Sequence, residues 1–319
     1  MTRSSADSGH AMPPTDPLPE SRPDAKPRVL VIGDVITDVI VRPEGPIVPG
    51  SDRRAQISVH PGGSASNQAA WLARFGVPVA LAARVGLADL PQQQAQLRAA
   101  GVVPMLSGDP VLGTGMLVNI IDPNGERSFL TDRGASVTLS ADDLPLSLLA
   151  GLELVHVSGY ALFAPGPRAA VMSFMAVARS RGVAVTVDPA SVGFLEEVGP
   201  DNFLGWTRDA SILFPNADEA ACLTGRRDPA AQIRFLTDRY DLVVVKRGAE
   251  GAEAATSDIR LRAAAPDVEA IDTTGAGDAF LAAFLAARLA GASLESCLRR
   301  GVEAGAEATT RIGGRPAAR

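Results

Sequence analysis

The sequence is poor in the residues that mark several classes of protein. Its 319 residues include two cysteines, Cys222 and Cys297, and three histidines, His10, His60 and His156. Two cysteines so far apart, each inside a predicted helix, write neither a disulfide framework nor a zinc site. Three scattered histidines supply no metal cluster or hydrolase triad. Lysine occurs only at Lys26 and Lys246, no Lys/Arg-rich run is present, and the formal charge is −6. The chain therefore lacks the clustered positive charge that nucleic-acid phosphates demand. No run of about 18 apolar residues could span a membrane, and residues 1–27 carry no apolar secretion-signal core. Neither a GxxxxGK(S/T) loop nor a GxGxxG after the first predicted strand occurs, which argues against a Walker-type site and against a Rossmann oxidoreductase. A protein of a reducing cytoplasm that acts on a small molecule is the expectation.

What is present is a 46% hydrophobic chain able to bury one large core. Residues 1–27, rich in Pro, Ser and charge, read as a disordered tail, and 28–319 as one domain. From Arg28 onward, β-branched runs (28–33, 78–84, 152–159, 183–189, 211–216, 241–248) alternate with helical stretches (65–75, 90–100, 167–181, 216–224, 229–238, 276–290, 294–310). That alternation predicts an α/β fold with a mostly parallel sheet covered by helices. Two segments break it, near 40–60 and 113–132, the second around a Pro123-Asn124-Gly125 turn signal. They suggest a small separate sheet, either a lid over the main body or a plain surface hairpin.

The run Asp272-Thr273-Thr274-Gly275-Ala276-Gly277-Asp278-Ala279-Phe280 opens a strongly helical stretch. Glycines there let consecutive backbone N–H groups converge at a helix N-terminus and build an anion hole. An acidic residue in that hole would repel a phosphate as a ligand. It suits a general base that takes the proton of an attacking hydroxyl. A plain helix start with Asp278 favouring the dipole is the other reading. Upstream, Pro61-Gly62-Gly63-Ser64-Ala65-Ser66-Asn67 precedes another helix. There the glycines permit close ligand approach and Asn67 offers a donor and an acceptor.

With both strings present, the chain resembles the PfkB, or ribokinase-like, family of carbohydrate kinases over about residues 28–316. The resemblance implies a three-layer α/β/α sandwich with a small β-sheet lid, and phosphoryl transfer from ATP to an alcohol. It makes Gly275, Ala276 and Gly277 the anion hole and Asp278 the base. It assigns Asp38 and Asn67, with Gly62 and Gly63, to the acceptor. Asp34 is either a further acceptor residue or a turn cap. Arg133 is either an acceptor contact, which would favour an acidic or phosphorylated molecule, or a solvated arginine.

On the nucleotide side, the resemblance implies that Asn216 and Glu219 organise Mg2+ through its waters, although the same pair reads as a capping box. Gly248 and Gly251 would border ATP, and Lys246 would reach a phosphate. Asp188 reads either as a polar neighbour of the phosphates or as a cap before Pro189. Asp272, with backbone oxygens of 309–316, is implied as a K+ site. A homodimer through the lid and a monomer are both open.

Ribose, fructose, 2-keto-3-deoxygluconate and nucleosides stay open as substrates. Gly63-Ser64-Ala65-Ser66-Asn67 departs from ribokinase's lysine-containing loop, which counts against ribose, and the 4% aromatic content favours a sugar over a nucleoside. A catalytically silent relative would be free to lose Asp278, which this chain keeps.

Overall fold

The computed structural model describes residues 26–317, apart from Pro123, Gly125 and the side chain of Arg127. The expected tail, residues 1–27, therefore lies almost wholly outside the described residues. The strands are β1 (Val29–Ile32), β2 (Ile36–Pro43), β3 (Ala55–Gly62), β4 (Val79–Gly86), β5 (Val103–Asp109), β6 (Thr114–Ile121) and β7 (Arg127–Gly134). They continue with β8 (Leu154–Ser158), β9 (Ala184–Asp188), β10 (Ile212–Leu213), β11 (Leu242–Lys246), β12 (Ala252–Ala255) and β13 (Arg260–Ala263). The helices are α1 (Ser64–Arg74), α2 (Leu90–Ala99), α3 (Pro165–Ser180), α4 (Val192–Val198), α5 (Pro200–Trp206), α6 (Ala217–Thr224), α7 (Pro229–Thr237), α8 (Ala276–Leu289) and α9 (Leu294–Thr309).

Nine strands form the main sheet in the order β13-β12-β11-β10-β9-β8-β1-β4-β5. The strands from β11 to β5 are parallel, while β12 and β13 add an antiparallel edge. The strands read as unbroken apolar runs because both faces are covered. In β1, Val29 and Val31 enter the core with Trp71, Leu97, Phe284 and Leu298 from α1, α2, α8 and α9. Leu30 and Ile32 enter the other, with Phe174, Leu195, Phe203, Leu223 and Ile233 from α3 to α7. The result is the expected sandwich.

The smaller sheet, ordered β3-β2-β6-β7, comes from the two segments that break the alternation. Of the expected turn there, Pro123 and Gly125 lie outside the described residues; Asp122 and Glu126 close the loop by a 2.9 Å backbone bond, and Asp122 Oδ1 accepts from the Asn124 amide at 2.8 Å. The strand expected at 211–216 shortens to two residues, because Pro215 has no N–H to give and Asn216 caps α6. Among the described residues, no helix is long and apolar enough to cross a membrane.

Candidate active site

Two helix N-termini meet at the carboxyl end of the sheet. Gly275, at φ 77°, is the N-cap of α8, and a side chain there would lie about 2.5 Å from the Gly314 backbone. Glycine thus lets the C-terminal segment close over this turn. The α8 run from Ala279 to Ala287 is buried all round, so the helix cannot shift without disturbing the core. This fixes Asp278 in its first turn.

Asp278 faces the first turn of α1. Its Oδ1 accepts a 2.8 Å hydrogen bond from Ser64 Oγ and its Oδ2 accepts one of 3.3 Å from Asn67 Nδ2. Burial pushes this carboxyl up to about 7, with Asp188 adding to the rise and the Ser64 bond, Lys246 and Asn67 opposing it. A carboxylate poised near neutrality is suited to accept a proton and release it again.

Ser64 is the end of a buried chain of hydrogen bonds that sequence reasoning did not find. Gln68 Nε2 donates to Ser64 Oγ at 3.0 Å, and Gln68 Oε1 pairs with His156 Nε2 at 3.0 Å. His156 Nδ1 then meets Thr186 Oγ1 at 2.8 Å. Since the Gln68 amide oxygen can only accept, Nε2 of His156 carries the proton and Thr186 donates to Nδ1. Burial holds this imidazole down to about 4, so it stays neutral. The only sequence signal was a histidine alternating with valines in a buried strand.

Next to the first turn of α1, Asp34 follows β1 and is 4% exposed; its Oδ1 receives the Ala65 amide at 3.4 Å, so it tethers the start of α1. Burial raises this carboxyl, and Arg133 opposes the rise. Asp38 lies on the inner face of β2, packed so tightly on Gly62 that a Cβ there would collide with its carboxylate. Its Oδ1 is buried and unpartnered. Burial, with Asp34 and Asp272, pushes this carboxyl up to about 7, and Arg315 opposes them. Gly63, at φ 94°, is the N-cap of α1.

Arg133 is not a solvated arginine. It projects from the inner face of β7, with its guanidinium 5.4 Å from the Tyr160 ring centre and 6.0 Å from that of Phe194, and Nη1 is buried without a partner. Arg315, missed by the sequence reading, comes in from the C-terminal segment, where Nη2 donates to Ser66 Oγ at 3.0 Å.

On the other side of Asp278 a cavity of about 580 Å³ is lined by Asn216, Lys246, Gly248, Ala249, Gly251, Thr273, Ala276, Gly277 and residues of α9. Lys246 Nζ sits 2.6 Å from Asp188 Oδ2 and would be 3.4 Å from a Cβ at Gly277, which puts its charge beside the N-terminus of α8. Asp188 Oδ1 also takes the Ala190 amide at 2.9 Å, so the same carboxylate holds the turn after β9.

Asn216 and Glu219 form a complete capping box: Glu219 Oε2 takes the Asn216 amide at 2.8 Å, Oε1 takes Asn216 Nδ2 at 2.9 Å, and Asn216 Oδ1 takes the Glu219 amide at 2.8 Å. Burial pushes the Glu219 carboxyl up to about 7. With both oxygens occupied, it fits contact with a hydrated cation through water rather than direct ligation. No cluster of three or more His, Cys, Asp or Glu side chains able to cage a metal occurs among the described residues. Asp272 accepts the Thr274 amide at 2.9 Å and the Gly313 amide at 3.0 Å, latching the C-terminal segment beside the start of α8.

Comparison with known proteins agrees with this fold. The profile described as "pfkB family carbohydrate kinase" matches residues 26–318. The ATP-dependent ribose-1-phosphate kinase of Halopiger xanaduensis is 29% identical over 301 residues, covering 91% of this chain and 94% of that one. The fructokinase of Salmonella typhimurium is 29% identical over 305 residues, at 90% and 94% coverage. The crystal structure of adenosine kinase from Sinorhizobium meliloti superposes with a TM-score of 0.83 at 27% identity, over 92% of this chain and 96% of that one.

Proposed function

This chain belongs to the pfkB family of carbohydrate kinases, and from that premise we propose that it transfers the γ-phosphoryl group of ATP to a hydroxyl of a small sugar or sugar-derived molecule. The observation that carries the reading is the position of Asp278 between the cavity lined by Gly277 and the Ser64 and Asn67 side chains of α1. Asp278 takes the proton of the attacking hydroxyl, the new O–P bond forms, and the bond from the γ-phosphorus to the bridging oxygen breaks to release ADP. Amides of Gly275, Ala276 and Gly277, with the α8 dipole and Lys246, face the charge carried by the transferring group.

Mg2+ would be held through water by Glu219 and Asn216, and when bound it supplies charge neutralisation on the phosphate oxygens. A monovalent cation beside Asp272 belongs to the same proposal, and replacing K+ with choline in the assay tests it. Free Cys222 and Cys297 fit the reducing cytoplasm we assign to it.

The lid supports pairing of two copies. Val59, Val39, Val118 and Leu130 form one row across all four strands on its outer face, with Val59 65% and Leu130 61% exposed. A second reading of the substrate, a nucleoside, is favoured by the Tyr160, Phe163 and Phe194 rings beside Arg133, which could flank a base. The test is ADP release from ATP across sugars, keto-sugar acids and nucleosides, with Asp278→Asn as control. Release no greater than the control for every acceptor would refute kinase activity.

A further inference from the structure

Resting on the kinase reading, we propose that Glu253 is a positioning residue for the nucleotide. It anchors the side chain of Arg247, and through Arg247 it holds in place the turn 248–251 that walls the cavity assigned to ATP.

Glu253 is the one charged residue of β12, and its side chain is 0% exposed. A carboxylate buried this way is costly unless cations and hydrogen bonds surround it. Three guanidiniums meet it. Arg262, its cross-strand neighbour on β13, brings Nε to 3.4 Å from Oε2, and Arg260 Nε bonds Oε1. Arg247 Nη2 donates to Oε2 at 3.4 Å. The two β13 arginines already balance the charge of Glu253, and both reach solvent, at 38% and 69% exposure. Arg247 comes from outside the β12-β13 hairpin and is only 14% exposed. Its burial against Glu253 therefore serves something other than charge balance.

That purpose lies in the turn which Arg247 opens. Its amide donates to the Gly251 carbonyl at 2.8 Å, and its carbonyl takes the Glu250 amide at 3.1 Å. The far end of the turn is wedged, since a Cβ on Gly251 would collide with the Ala263 carbonyl of β13. The near end has no such wedge: Gly248, at φ 56°, has open space where a Cβ would stand. On one side, Gly248, Ala249 and Gly251 line the cavity shared with Lys246 and Gly277. On the other lies a second cavity of about 400 Å³, bordered by Arg247, Glu250, Glu253 and Arg262. The turn is thus not packed from behind. The Arg247–Glu253 pair lines that space and takes the place of packing.

The test is isothermal titration of the full chain with ADP and Mg2+, which needs no acceptor, backed by KM for ATP with any acceptor that gives ADP release. Arg247→Met leaves Glu253 its two β13 partners and should fold. Glu253→Gln keeps the shape of the side chain, and Glu253→Asp replaces it if circular dichroism shows no fold. Each variant should weaken ADP binding and raise KM for ATP about tenfold, the loss of one charged hydrogen bond, with kcat unchanged. Because Glu253 acts through Arg247, the double variant should stay within about twofold of the weaker single one. Folded Arg247→Met with wild-type affinity for ADP overturns the proposal, as do losses that multiply in the double variant. A merely structural staple would lower the melting temperature and leave both nucleotide constants where they were, which also overturns it. If the wild type itself binds no ADP, the kinase reading fails and takes this proposal with it.

Discussion

Ser64→Ala removes a single hydroxyl from the site and tests the reasoning about the base directly. Ser64 donates to Asp278 Oδ1 at 2.8 Å, and a hydrogen bond to a charged group contributes about 1.5–3 kcal/mol. At about 1.4 kcal/mol per pKa unit, its loss lifts the Asp278 carboxyl from about 7 by roughly one to two units. The ionised fraction at pH 7 then falls from about a half to roughly a tenth or a hundredth, so kcat should drop about 5- to 50-fold there. The loss should be recovered as pH approaches about 9, with KM for ATP unaltered. The assay is ADP release against pH, with circular dichroism to confirm folding. The same shift, in smaller measure, is expected of Gln68→Met, which frees the Ser64 hydroxyl to turn away while His156 loses its acceptor. A uniform fall in kcat across all pH values, with the acid limb where it stands in the wild type, would refute the claim that this chain of hydrogen bonds sets the base.

Other variants probe the remaining parts of the site. Asp278 carries a folded pKa raised above the roughly 3.9 of an unfolded aspartate, so its contribution to stability is present at low pH and is lost as pH rises from about 4 through about 7. Asp278→Asn should therefore be inactive yet gain in melting temperature over the wild type between pH 5 and pH 8; an equal difference at both pH values contradicts the burial argument. Lys246→Met leaves Asp188 as an unpaired buried charge, which costs about 3–5 kcal/mol. The double variant with Asp188→Asn should recover stability while KM for ATP stays about tenfold high, as measured by chemical denaturation and kinetics. If the double variant also restores KM, Lys246 does not contact the nucleotide. Val59→Lys puts a charge at the β3 end of the apolar outer row of the lid and should turn a dimer into monomers by light scattering. An unchanged mass would place the contact elsewhere.

How much of this was legible in the sequence depended on whether the information was local. Gly275 to Asp278 and Gly62 to Asn67 could be read because turn, helix start and chemical group fall within a few residues of one another. Asn216 and Glu219 were equally local, and the capping box they spell is formed in full. By contrast, Gln68 and His156 are 88 residues apart and Ser66 and Arg315 are 249 apart, and no spacing rule joins them. Strand β12, Ala-Glu-Ala-Ala, has little intrinsic strand preference and is a strand because it pairs with β11 and β13. Pro104 and Gly108 disguised β5, an edge strand where both are tolerated. Gly193, Pro200 and Gly205 likewise hid the short helices α4 and α5.

The alternation of side chains along β2 has one more consequence. Ile36, Asp38 and Ile40 turn toward the cleft, while Thr37, Val39 and Val41 turn outward. Under the proposed function, one strand therefore carries two interleaved records, one concerned with what is phosphorylated and the other with what the protein stands beside. A substitution at an even position can retune the choice of substrate and leave the outward face as it was, and the reverse holds at odd positions. Over evolutionary time, the lid can change its chemistry and its company separately.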